Sequence, residues 1–567
     1  MAAPAPWLAH YDAGVPASLA PYPDRTLVDD LRDHARAQPD RAAMLFKGRA
    51  VSWRELETLS DACAAAFAEL GVGRGDRVAL LLPNCPQFLI AQFGAWKLGA
   101  IAAPINPTYT ERELADALRL NEADVLVTLT RYYPLAKRLQ GRTPVRQIVA
   151  TNIKEFFPPA LRLLFTLARE RQGGDRVALA PADHALSRLL ASGSGRKAGA
   201  DPRPKDPAVL LLSGGTTGTP KAALGRHEAY AITGRQVSAW TASVLGKGDV
   251  ILAPLPLFHV YANVGIQGFA IVTGSPLALV PNPRDIDDLT ATIRRVRPAF
   301  FSGVPSLYIA LLKHRDVQRG RVDFKSIKIC FSGAAPLLAD TKQRFESLTG
   351  GRIVEGYSLT EAMMALAVNP VAGPNKPGSV GLPLPDVHAA VFDLEEGTEI
   401  LSPGEIGEIA LSGPQLMTGY WKDPEETALV LREHGGRLWL HTGDLGYLDP
   451  DGYLFVVDRK KDLIKTSGFQ VWPREIEEVL AGHPAVAEVG VAGVPDAVKG
   501  EVVHAWAVLR AGATATESEL REFCRRSLAP YKVPARIEFR SDLPKTMVGK
   551  VLRRALRDEP RARRPSQ

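Results

Sequence analysis

The chain has 567 residues, enough for two to four units at about 150 residues per domain. Hydrophobic residues make up 46% and charged residues 23%, which excludes a disordered chain and supplies apolar surface for several cores. A net charge of +7 favours anionic partners. The basic residues are spread out and no nucleic-acid motif accompanies them, so nucleic acid is not an expected partner. Cys63, Cys85, Cys330 and Cys524 form no CxxC pair and are expected to be buried, reduced thiols. The first 25 residues are rich in Pro and Ala and read as an extended arm, without the basic start and apolar run of a signal peptide. No apolar run reaches the roughly 18 residues of a membrane-spanning helix, and the cytoplasm is the expected compartment.

From residue 26 the pattern alternates. Residues 27–37 are helix-like, 42–46 and 51–53 suggest a hairpin around Gly48, and Ser52 is placed to cap a helix running to about Gly71. The run 77–82 (RVALLL) reads as a strand covered on both faces, followed by a helix over 84–98 and a short strand over 101–104. Such alternation argues for βα units and a mostly parallel sheet. Further strand-like runs occur at 209–212, 250–254 and 327–332.

Residues 153–171 (IKEFFPPALRLLFTLARER) form, from about Pro159, a helix with Leu161, Leu163, Leu164, Phe165 and Leu167 over most of its surface. Arg162, Thr166 and Arg169 make a narrow polar side. Two readings fit: a helix lying on the anionic inner surface of the membrane, and a helix packed on its own domain or on a dimer partner. A flexible basic linker, 192–206, leads into the most informative segment. After about Asp458 a short charged segment opens a smaller α/β region, which ends in a basic tail.

Residues 213–221 read SGGTTGTPK and follow a strand. Gly214, Gly215 and Gly218 permit positive φ and close backbone approach. Ser213, Thr216, Thr217 and Thr219 supply hydroxyls, and Lys221 a cation. Backbone N–H groups, hydroxyls and one cation are what a polyphosphate needs. The pattern GxxxxGK[ST] does not fit, because Pro220 precedes Lys221 and Ala222 follows it.

This string resembles the phosphate loop of the adenylate-forming superfamily, which includes acyl-CoA synthetases, carrier-loading adenylation domains and luciferases. Further motifs follow in the family's order. Residues 357–361 (YSLTE) resemble YGxTE, and 442–444 are TGD. Residues 458–462 (DRKKD), with 467–471 (SGFQV) and 473–477 (PREIE), resemble the hinge and the motif behind it. Residues 544–550 (PKTMVGK) resemble the C-terminal lysine loop. The likeness runs from about residue 26 to 556. Stretches 439–461, 156–170 and 283–286 resemble bacterial long-chain fatty acid–CoA ligases in particular.

The resemblance implies an α/β fold with a large, multi-subdomain N-terminal domain of mostly parallel sheets, 1–458, and a small mobile α+β C-terminal domain, 459–567. It implies ATP, Mg2+ and CoA as cofactors. Thr216, Thr217 and Lys221 would hold the β- and γ-phosphates, and Glu361 with Thr217 would ligate Mg2+. Gly333, Ala334 and Ala335 would border the adenine. Glu355, Gly356 and Tyr357 would close its other side, with Tyr357 stacked on the base; Thr360 would belong to the same nucleotide site, and Ser358 would stand close to the acyl adenylate. Asp444 would accept hydrogen bonds from the ribose hydroxyls, Arg459 would reach ribose or phosphates, and Lys460 would be the pivot. Lys550 would offset the charge developing between carboxylate and α-phosphate. The C-terminal domain would then rotate, presenting Gly468 to the pantetheine arm so that CoA thiolate attacks the acyl adenylate. His259, in PLFHVY, matches an active-site histidine or gate position.

By the same resemblance, 261–268 (YANVGIQG) would line the acyl pocket. Ala262, Gly265 and Gly268 fit either an alkyl tunnel or a close helix–helix contact. The absence of charge in this stretch favours an apolar acyl chain. Two departures from the family pattern stand out: Ser358 replaces a glycine, and Ala222 replaces the glycine after Pro220-Lys221. The expected activity is ATP-dependent activation of a long-chain fatty acid as acyl-AMP with release of pyrophosphate, then transfer to CoA. A medium-chain or aryl acid–CoA ligase and a non-catalytic acyl-binding paralogue are the competing readings. A homodimer is expected by family analogy alone.

Overall fold

The computed structural model describes residues 5–197, 199–213, 220–466, 469–496, 499–545 and 551–558. The chain divides into two compact units, one of residues 1–388 with 411–440, the other of 389–410 with 441–567.

In the first unit the apolar run near residue 77 becomes strand Arg77–Leu81, buried from Val78 to Leu81. It lies parallel between Ile101–Pro104 and Val125–Leu129. These belong to an eight-stranded sheet whose order is Gly419–Tyr420, Lys221–Arg226, Pro207–Ser213, Ile101–Pro104, Arg77–Leu81, Val125–Leu129, Gln147–Thr151 and His184–Ala185. Every residue of helix Pro86–Trp96 is buried, as a sheet covered by helices requires. Ser52 caps helix Trp53–Glu69 as its position predicts, its hydroxyl accepting the Glu55 N–H at 3.1 Å.

A nine-stranded sheet completes this unit. Its middle strands, from Arg352–Leu359 through Ile329–Ser332, Phe300–Gly303, Ile251–Ala253 and Leu277–Leu279 to Ala42–Phe46, are parallel. Antiparallel pairs close both edges.

In the second unit, strand Leu454–Arg459 pairs antiparallel with Arg437–Leu448, so Asp458 and Arg459 close a strand. A five-stranded sheet holds Phe469–Val471, Ile464–Thr466, Gly500–Leu509, Val486–Asp496 and Arg536–Arg540. Its core gathers Ile464, Ile476, Leu480, Val491, Val503 and Ile537. All four cysteines are free and buried, in keeping with the expectation. Among the described residues no helix is long and apolar enough to cross a membrane. The tail 561–567 lies outside the described residues. The large unit of mostly parallel sheets and the smaller one with antiparallel strands are the expected α/β class.

Candidate active site

Two strand ends supply the first group. Pro207–Ser213 and Lys221–Arg226 pair antiparallel with Ser213 opposite Lys221. The joining segment with Gly214, Gly215, Thr216, Thr217 and Gly218 lies outside the described residues. Lys221 forms an ion pair with Glu426, and its ammonium sits 5.2 Å from the Tyr420 ring centroid. Tyr420 pairs with Ala223 in the adjoining strand and donates its hydroxyl hydrogen to Oε1 of Glu361 at 2.8 Å. The Met417 N–H fixes the Glu361 carbonyl at 3.0 Å. Burial, reinforced by the Glu361 carboxylate, pushes the Tyr420 phenol up, so it stays a hydrogen donor. Lys221 and Glu361 thus share one intermediary, Tyr420. Neither Tyr420 nor Glu426 was an expected site residue. The one local sign is Asp423-Pro424, which caps helix Pro424–Val430 through the Glu426 N–H at 3.1 Å.

The second group sits on adjacent parallel strands. Ser332 lies opposite Glu355, so Gly333, Ala334 and Ala335 leave one strand at the level where Gly356, Tyr357 and Ser358 continue the next. Ligands of open α/β sheets bind at such carboxyl ends. Ala334 has a φ of +70°, a backbone region that side chains other than glycine rarely enter. A methyl group on Gly333 would stand 3.2 Å from the Tyr261 ring. Glu355 accepts the Leu337 N–H at 3.1 Å, and Tyr357 is buried. The pairing with Met364–Val368 slips between Tyr357 and Ser358, where the family pattern has glycine. The Thr360 carbonyl accepts the Met363 N–H at 3.1 Å.

His259 opens a π-helix, Tyr261–Ile266, its carbonyl accepting the Ala262 and Asn263 N–H groups at 3.1 and 2.9 Å. Its Nδ1 accepts the Tyr261 N–H at 3.3 Å, which assigns the ring proton to Nε2. Burial lowers the imidazole to about 4, so it is neutral at physiological pH.

The small residues downstream serve close packing. A Cβ on Gly234 would lie 2.6 Å from the Gly268 carbonyl oxygen, and one on Gly268 3.0 Å from the Tyr230 carbonyl. A Cβ on Gly265 would meet the Met364 side chain at 2.4 Å. Helices His227–Thr241 and Gln267–Thr273 therefore touch through glycine backbones. Ala222, the other departure from the family pattern, packs in a buried cluster with Ile101, Ala103 and Leu210.

In the second unit Asp444 is buried and pairs with Arg459, Nε to Oδ1, at 3.1 Å. Gly443, at φ +69°, lets the chain turn so that its N–H reaches Glu408 Oε1 at 3.1 Å. Glu408 Oε2 holds the Lys460 ammonium at 2.9 Å. Burial would raise the Glu408 carboxyl, but the neighbouring His441 and Lys460 outweigh it and hold it at about 2. Glu408 is a further residue that sequence reasoning did not single out. Gly468 and Lys550 lie outside the described residues. Just past them, Arg553 donates to Asp458 at 2.7 Å, Asp462 at 3.2 Å and Glu477 at 2.6 Å.

Residues 31–421 match the family described as AMP-binding enzyme, and residues 475–550 the AMP-binding enzyme C-terminal domain. The chain is 40% identical over 559 residues to the long-chain-fatty-acid–CoA ligase of Bacillus subtilis (strain 168), covering 98% of each chain. It is 36% identical over 567 residues to the long-chain-fatty-acid–CoA ligase of Escherichia coli O157:H7, again with 98% of each covered. The structure resembles that of the anthranilate CoA ligase AuaEII in complex with anthranoyl-AMP, with a TM-score of 0.81, 27% identity and 94% and 97% of the two chains covered. This chain belongs to the AMP-binding enzyme family.

Proposed function

We propose that the chain is an AMP-forming long-chain fatty acid–CoA ligase. The observation that carries the reading is the Lys221–Tyr420–Glu361 group: one cation suited to phosphate and one carboxylate suited to a hard metal ion, joined by a single tyrosine. In the first step a fatty carboxylate oxygen attacks the α-phosphorus of ATP and pyrophosphate leaves. Both reactants are anions, so charge neutralisation and alignment dominate the barrier. Lys221, with Thr216 and Thr217, holds the β- and γ-phosphates and the departing pyrophosphate. Mg2+, when bound, would neutralise phosphate charge. Glu361 suits it, since that ion takes one or two carboxylates and completes its shell with phosphate oxygens and water. Thr217 would add a hydroxyl oxygen to that shell.

Lys550 offsets the charge gathering between carboxylate and α-phosphate. Neutral His259 offers Nε2–H as a hydrogen donor near the acyl end without adding charge. Gly333, Ala334 and Ala335 flank the adenine on one side, and Tyr357 stacks on it from the other. Asp444 accepts from the ribose hydroxyls while Arg459 fixes its carboxylate. In the second step the CoA thiolate attacks the acyl carbonyl carbon and AMP leaves, with Gly468 leaving room for the pantetheine arm.

The test is CoA-dependent AMP release from purified protein, across acids from acetate to stearate plus benzoate and coumarate. A maximum on long-chain acids supports the reading. A maximum on aryl acids keeps the mechanism and overturns the substrate. No release with any acid favours a non-catalytic acyl-binding protein.

A further inference from the structure

Residues 157–180 contain two carboxylates, and both face inward. Glu170 is buried, pairs with Lys154 at 2.6 Å and accepts from the Asn152 amide at 3.1 Å. Asp175 is buried and takes a two-point contact from Arg131 at 3.1 and 2.8 Å. The arginines of the same stretch, Arg162, Arg169, Arg171 and Arg176, are all exposed. Among them lies helix Pro159–Ala168, which has no buried residue. Leu163, Leu164 and Leu167 are 60%, 62% and 77% exposed.

The helix is nevertheless held in place. Phe165 packs edge-on against Phe157 at 5.5 Å, Phe157 lies 5.8 Å from Phe46, and the Thr166 hydroxyl contacts Lys154 at 3.1 Å. The leucines therefore point outward on a fixed platform. A cleft of about 760 Å3 adjoins the start of the helix, with Phe157, Pro158 and Leu163 set between Arg49 and Arg162. Glu155, the acid in that cleft, is engaged by the Thr151 hydroxyl at 2.7 Å and the Asn152 N–H at 3.3 Å.

We infer that helix Pro159–Ala168 and its flanking arginines form a docking surface for a lipid bilayer with anionic headgroups. An apolar ridge bordered by cations, with every nearby carboxylate turned inward or engaged, is complementary to such a bilayer. The leucines enter the boundary between headgroups and acyl chains, and the guanidinium groups stay at phosphate level. A second copy of the chain is a poorer partner. A two-fold contact would bring each ridge, with its arginines, onto the same arginines of its mate. Three leucines make the attachment reversible and dependent on salt.

The experiment is vesicle flotation of the full chain. One set of vesicles contains phosphatidylethanolamine with phosphatidylglycerol, the other phosphatidylcholine alone. The variants are L163S/L164S/L167S and R162Q/R169Q/R171Q, each checked by its melting temperature and by AMP release with octanoate. The wild type is expected on the anionic vesicles, released by high salt. The bound fraction is expected to fall roughly tenfold in both variants, with melting temperature unchanged. Equal binding to both vesicle types, no binding to either, or binding unchanged in the leucine variant would overturn the inference. So would a dimer in sedimentation that the leucine variant alone converts to monomer, because the ridge would then belong to a second copy.

Discussion

Tyr420 donates a 2.8 Å hydrogen bond to Glu361 while its ring faces the Lys221 ammonium. One side chain thus orients both the carboxylate proposed for Mg2+ and the cation proposed for phosphate. Tyr420→Phe keeps the ring and removes only the hydrogen bond. A hydrogen bond to a charged group is worth about 1.5–3 kcal/mol, so kcat/KM for Mg-ATP should fall at least roughly tenfold. The Mg2+ concentration for half-maximal rate should rise. Initial rates across a Mg2+ series check this, and an unchanged Mg2+ dependence would remove Tyr420 from the site.

Glu426 forms an ion pair with Lys221, and a phosphate held by that lysine must displace or share it. Glu426→Gln should therefore lower KM for ATP several-fold, whereas Lys221→Ala should raise it roughly tenfold or more. The opposed signs are the informative feature. If both variants raise KM alike, Glu426 positions the lysine and does not compete with phosphate.

His227 starts helix His227–Thr241, is buried, and meets Trp96 edge-on at 5.3 Å. Burial lowers its imidazole to about 3. The unfolded chain takes up the proton near 6.5 and the folded chain does not, so stability falls as pH drops below 6.5 toward 3. By pH 5 the loss from this one group is about 2 kcal/mol. His259, lowered to about 4, adds to the same window. Melting temperature between pH 7 and 5 should decline less steeply in His227→Phe, and parallel slopes would contradict the assignment.

The glycine contact between helices His227–Thr241 and Gln267–Thr273 leaves no room for a methyl group. Gly234→Ala would press its Cβ to 2.6 Å from a backbone oxygen, which no rotamer change relieves. A loss of about 1–3 kcal/mol of stability is expected, seen as a lower midpoint in chemical unfolding. An unshifted midpoint would show that the helices separate freely.

Much of the scaffold was legible because its signals are local. The Ser52 cap and the strand at Arg77–Leu81 follow from adjacent residues alone. Residues 283–286, noticed as a family likeness, also have a local cause: Asp285 caps helix Ile286–Val296 by accepting the Asp288 N–H at 3.0 Å. Tyr420, Glu426 and Glu408 were not legible. Each meets its partner across strands joined by long stretches of chain, and no spacing rule links Tyr420 to Glu361 or Glu408 to Lys460. The glycines near 265 showed the opposite difficulty. Their spacing is visible in the sequence, but only the close approach of Gly234 to Gly268 in the fold identifies a helix contact there.

Adenylation of a fatty acid is the first proposed step, with Lys550 offsetting charge at the α-phosphate. The direct measurement is palmitate-dependent exchange of labelled pyrophosphate into ATP, without CoA, for the wild type and Lys550→Ala. Exchange is expected in the wild type, with a loss of roughly a hundredfold or more in the variant and melting temperature unchanged. Undiminished exchange in Lys550→Ala would contradict the role of the lysine. No exchange in the wild type with any acid would contradict the ligase reading itself.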